Sequence, residues 1–183
     1  MTRFTAQLDT SLPRIAIDLG YSATAKSCGL CSTDLSDPVE LSFGQCVRTV
    51  AHQLVEKGPQ TLILEAVLST YHNTEGNPAI RGEFEKGRGW YHGPGVSTFA
   101  AAHRFLQELN RLLLPDIVQP IPLVEAFLSY KATRTSHGED AARILNEFDY
   151  AERFNPELGS EPLCKLIDGV PEIRRYNPPP KRP

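Results

Sequence analysis

Arg14-Ile-Ala-Ile-Asp18 is the stretch on which the reading of this chain turns. It is an apolar run of strand length that closes on a carboxylate, followed at once by Leu19-Gly20. In extended backbone Arg14, Ala16 and Asp18 share one face, and Ile15, Ile17 and Leu19 share the other. A carboxylate after Ile-Ala-Ile is costly to bury without a metal ion or hydrogen-bond donors beside it. Thr61-Leu-Ile-Leu-Glu65 repeats the pattern, and its short apolar run reads as a buried parallel strand. In open α/β sheets the crevice at the carboxyl ends of the strands is the usual ligand site. If these two strands are parallel neighbours, Asp18 and Glu65 meet there.

Working outward, Ala25 to Cys31 and Val39 to Phe43 read as two further strands, joined by the turn-rich Ser32–Pro38. With the strand at 14–18 they form an antiparallel meander. The period then changes. Cys46, Val47, Val50, Ala51, Leu54 and Val55 recur at helical spacing, and Gly58-Pro59 stops the run. A second helix carries Phe99, Ala102, Phe105, Leu106, Leu109 and Leu113, with Ser97 or Thr98 as its expected N-cap. Ile121 to Phe127 is another strand, and a third helix sets Ala141, Ile144, Leu145 and Phe148 on one stripe. The order β-β-β-α-β-α-β-α implies an α/β fold with a mixed sheet and helices on its faces.

Residues 1–13 read as a flexible lead, 14–176 as one domain, and 177–183 as a proline-rich tail. Within the domain, 71–95 is a long glycine-rich loop without clear period, a length that is usually functional or mobile. Its Arg81, Lys86 and Arg88 suit phosphates, and Trp90 and Tyr91, with Tyr71, suit stacking on exposed bases.

A third acid is Asp140, four residues before Ile144 and so on the sheet-facing side of its helix; His137 lies one turn earlier on that side. Glu139 stands four residues before Arg143 and reads as a surface pair, whereas Glu125 sits inside an apolar run as a candidate fourth carboxylate. Converging carboxylates repel one another, and divalent cations relieve that repulsion. Hard oxygen donors favour Mg2+ or Mn2+ over zinc. Two such ions about 4 Å apart suit phosphodiester hydrolysis.

Ile15-Ala-Ile-Asp-Leu-Gly20, Leu62-Ile-Leu-Glu-Ala-Val-Leu-Ser69 and Ser136-His-Gly-Glu-Asp-Ala-Ala142 resemble the three acidic motifs of ribonuclease-H-like nucleases. The likeness is nearest to RuvC-type resolvases and related uncharacterised nucleases, and spans roughly residues 14–150. It implies a mixed five-stranded sheet, three antiparallel strands followed by parallel ones, with helices on both faces. It also implies Asp18, Glu65 and Asp140 as ligands of two metal ions, with His137 or Glu125 as auxiliary, and DNA or RNA as partner. Resolvase activity would call for a homodimer, for which the sequence carries no clear signal. The segment 71–95 is longer than the family pattern suggests.

The formal net charge of −3 argues against wrapping nucleic acid over the whole surface, but allows a local basic groove beside an acidic site. No apolar run reaches the roughly 20 residues that span a bilayer, so a cytoplasmic location is the default expectation. Cys28 and Cys31 invite a zinc reading, yet no second Cys/His pair follows, and residues three apart on a strand face opposite ways. Ordinary semi-buried thiols are expected instead. Two other functions compete with the nuclease. One is a non-catalytic ribonuclease-H-like binding module. The other is an actin-like ATPase, since Asp18-Leu-Gly-Tyr-Ser22 resembles a first phosphate loop; that reading lacks a second lobe and a second glycine loop.

Overall fold

A computed structural model describes residues 4–5, 9, 11–66, 94–113, 121–126, 133–148 and 174–176. The chain is α/β, and its described elements run β1 (Phe4–Thr5), β2 (Arg14–Asp18), β3 (Cys28–Ser32), β4 (Val39–Leu41), α1 (Phe43–Lys57), β5 (Thr61–Glu65), α2 (Pro94–Leu113), β6 (Ile121–Ala126), α3 (His137–Phe148) and β7 (Arg174–Tyr176). The central sheet is mixed, in the order β6-β5-β2-β3-β4. Strands β2, β3 and β4 form the antiparallel meander; β5 pairs parallel to β2, and β6 parallel to β5. Two short strands share the outer edge of β6: β1 runs beside Ile121 and Pro122, β7 beside Val124 to Ala126. Thus a strand lies within the segment expected to be a lead.

Alternation along the strands sorts the core into two layers. Ile15, Ile17, Cys28, Leu30, Leu62, Leu64 and Leu123 face α1 and α2, where they meet Val47, Val50, Leu54, Phe105 and Leu109. Ala16, Cys31, Ile63, Val124 and Ala126 face α3 and meet Ala141, Ile144 and Leu145. Helices therefore cover both faces, two on one and one on the other. Among the described residues no helix is long and apolar enough to cross a membrane.

The boundaries differ from the sequence reading where local hydrogen bonding decides them. Strand β3 starts at Cys28 rather than Ala25. Residues 20–27 instead form a turn in which the Ser22 hydroxyl accepts the Ala25 N–H at 2.9 Å and the Ser27 hydroxyl accepts the Ser22 N–H at 3.1 Å. Gly20 is required there, because a Cβ on it would lie 2.2 Å from the Ser27 carbonyl oxygen. Strand β4 ends at Leu41, since Ser42 and Gln45 form a capping box that starts α1 at Phe43. Helix α2 begins at Pro94, so Ser97 and Thr98 are inside it and not its N-cap. Proline suits the first turn because its missing N–H has no intrahelical acceptor there. Strand β6 is described over Ile121–Ala126, and Phe127 lies outside the described residues.

Candidate metal centre

Register brings the two strand-end acids together. Strands β2 and β5 pair in parallel from Arg14↔Thr61 to Asp18↔Glu65. Both acids continue the face of Ala16 and Ile63, the face that α3 covers. Helix α3 lies antiparallel to β2 and matches its length, with twelve residues rising about 18 Å against about 16 Å for five extended ones. At one end His137 bonds Asp18; at the other the Arg14 guanidinium sits 5.1 Å over the Phe148 ring.

The approach of α3 depends on Gly29. This residue stands beside Asp18 in the register of β2 and β3, and a Cβ on it would lie 1.8 Å from the His137 carbonyl oxygen. Only a residue without a side chain lets the first turn of the helix settle on the strand. The turn is fixed by a second capping box. The Glu139 carboxylate accepts the Ser136 N–H at 2.7 Å, and the Ser136 hydroxyl accepts the Glu139 N–H at 3.2 Å. The expected Glu139–Arg143 pair is thus not formed. Glu139 is occupied at the helix start, and Arg143 pairs with Glu147 at 2.7 Å.

With the helix so placed, Asp18, Glu65 and Asp140 each offer a carboxylate oxygen within 4.8 Å of the others. Asp140 is 3% exposed, and its Oδ1 accepts the Thr135 hydroxyl at 2.5 Å. His137 Nδ1 donates to Asp18 Oδ2 at 2.5 Å. That bond holds the His137 pKa above its ordinary value, against the opposing effect of burial, and the Asp18 and Glu40 charges add to it. At an effective dielectric near 20, two like charges 4 Å apart repel by about 4 kcal/mol. Three half-buried to buried carboxylates this close offer hard oxygen donors, the kind that divalent cations take.

The other candidates are not placed by the described residues. Position 125 stands beside Leu64, while Ala126 takes the place beside Glu65; the Glu125 side chain lies outside the described residues. So do Arg81, Lys86, Arg88, Trp90 and Tyr91, and all of the 71–95 segment except Pro94 and Gly95, which belong to α2. Cys28 and Cys31 are free and buried on opposite faces. The Cys28 thiol donates to the Gly20 carbonyl at 3.2 Å, and contact with Cys28 together with burial pushes the Cys46 thiol well up.

Sequence reasoning missed Glu40, Thr135 and Ser136. Glu40 accepts the Gly138 N–H at the amino end of α3, at 3.4 Å, where helix polarity favours a negative charge. The Ser136-x-x-Glu139 spacing is itself a capping-box signature and was legible; nothing local marks Glu40 or Thr135. Comparison of the chain with protein-family models, with curated proteins and with solved structures finds no match.

Proposed function

We propose that this chain is a ribonuclease-H-like nuclease that hydrolyses phosphodiester bonds of DNA or RNA with Mg2+ or Mn2+. The observation that carries the reading is the convergence of Asp18, Glu65 and Asp140, 47 and 75 residues apart along the chain, within 4.8 Å. The mixed sheet, with its meander followed by parallel strands, supports the same superfamily.

The three carboxylates fit divalent cations by donor chemistry, being hard, anionic and, among the described residues, free of competing thiolates on that face at the strand ends. Bound there, the cations would supply water activation and charge stabilisation at the leaving oxygen. The protein's own part is positional. His137 orients Asp18 through its Nδ1–H, Thr135 orients Asp140, and Ser136 with Glu139 locks the turn that carries both His137 and Asp140. Such outer partners fix ligand geometry as firmly as the ligands themselves.

The test is Asp18→Asn assayed on labelled single-stranded and branched DNA and RNA with manganese. We expect the wild type to cleave, manganese to raise its melting temperature, and the variant to lose both effects while keeping its circular dichroism spectrum. Undiminished cleavage by the variant removes Asp18 from the reaction. A wild type that binds nucleic acid without metal-induced stabilisation would instead be a binding module.

A further inference from the structure

Across the sheet from the carboxylates, a cavity of about 720 Å³ opens between the turn after β2, the start of α1 and the carboxyl-terminal half of α2. Its volume falls in the range of small-molecule sites, roughly 300–1,000 Å³. Arg48, Arg104 and Arg111 line it, with Glu108 as the one acid among the lining residues. Glu108 serves two of these cations, pairing with Arg104 and, at 2.8 Å, with Arg111. Arg48 forms no ion pair among the described residues. Among the described residues three cations thus share one anion around the concavity.

The position of Arg48 sharpens this imbalance. Its guanidinium folds back over Gly44, with Nη1 3.4 Å from where a Gly44 Cβ would be, which puts it at the first turn of α1. A helix start carries partial positive charge and favours anions, yet the first turn of α1 holds no acid. A cation there is electrostatically disfavoured until an anion joins it. The same cavity presents apolar surface. Tyr21 is 61% exposed and Leu112 40% exposed, and the Tyr21 ring is braced edge-on against Phe43 at 4.8 Å between centroids. An exposed aromatic ring that lines the same cavity as a guanidinium without an ion pair among the described residues is the pairing that receives a planar base and its phosphate.

We propose that this cavity is a binding site for a base-bearing phosphate, the base lying against Tyr21 and the phosphate meeting Arg48 at the start of α1. Phosphate and base are features shared by a free mononucleotide and by one unit of a nucleic-acid strand. The site is independent of the carboxylate cluster and needs no divalent ion.

The experiment measures binding to the full chain in EDTA, by calorimetry with AMP and with inorganic phosphate, and by fluorescence anisotropy with a labelled ten-nucleotide single strand. AMP is expected to bind at least tenfold more tightly than inorganic phosphate. Arg48→Ala and Tyr21→Ala should each weaken AMP at least tenfold with unchanged melting temperature, whereas Asp18→Asn should bind as wild type. Tighter binding of the strand than of AMP, lost in the same two variants, identifies a strand subsite; equal binding identifies a mononucleotide site. Absence of AMP and strand binding, or binding indifferent to Arg48 and Tyr21, overturns the proposal. Because every arm is metal-free, it can fail while the nuclease reading stands, and the reverse.

Discussion

The two faces of the sheet are built to different rules. The α1/α2 face is lined by large residues, with Ile15, Ile17, Leu62 and Leu64 packed on Leu54, Phe105 and Leu109 in one continuous apolar layer. The α3 face is a smaller cluster, in which Ala16, Ala126 and Ala141 sit among Ile63, Val124, Ile144 and Leu145, and it gives way at the strand ends to Gly29 and the three carboxylates. Gly29 lets the α3 backbone approach the strand, and that closeness sets Asp140 beside Asp18 and Glu65, which strand register already pairs. One face therefore stabilises the fold, and the other spends some of its packing to hold like charges in contact range. The larger apolar layer and the carboxylate cluster are separated by the thickness of a single sheet.

Substitutions can break or sharpen that contrast. The largest effect is expected from Phe105→Ala, which empties a fully buried site on the α1/α2 face; the cost is about 3–5 kcal/mol by denaturant unfolding. Below its lowered melting point this variant should still respond to manganese. If it loses less than about 1 kcal/mol, the α1/α2 layer is not the main source of stability. Next is Gly29→Ala. Its Cβ would collide with the His137 backbone, and relief by lifting α3 costs about 1–3 kcal/mol. Here the manganese-induced rise in melting temperature should vanish, since Asp140 and His137 move away from Asp18 and Glu65. A G29A protein with wild-type manganese response would mean that close helix approach does not assemble the centre.

The two capping boxes offer a matched pair. Ser42→Ala and Ser136→Ala should each lower stability by about 1 kcal/mol, read from urea midpoints. Only Ser136→Ala should weaken the manganese response, because only that box carries a carboxylate of the proposed centre, Asp140. Equal metal effects would erase the distinction between the faces. The smallest effect concerns pH. Hydrogen bonds from the Ser136 N–H and hydroxyl hold the Glu139 carboxyl below its ordinary pKa. Its contribution is therefore present above the unfolded-state value and lost as pH falls through the folded one. Glu139→Gln, which keeps an acceptor but does not titrate, should show a shallower acid-side loss of stability. Identical acid profiles would show that this box does not depend on charge.

Much of the layout was legible along the chain. The limits of β2 and β5 follow from two apolar runs ending in acids, and the facing of Cys28 and Cys31 follows from strand alternation alone. Helix α3 was visible in its stripe, and Asp140 in its distance from Ile144. Other features misled for physical reasons. Glu139 and Arg143 have the spacing of an ion pair, but a carboxylate three residues from Ser136 gains more from backbone donors at the helix start. Helical spacing located the middle of α2, yet Pro94 could begin it three residues before the first capping candidate.

By itself the sequence determined which residues alternate and which recur at helical period, because these depend on neighbours a few positions away. Tertiary structure alone decided that Asp18 lies beside Glu65, that α3 comes down over Gly29 and that Arg48 faces a cavity. Those facts depend on strand order and on the distance between a helix and a sheet. Both are set by the packing of residues far apart in the chain, about which local patterning carries no information.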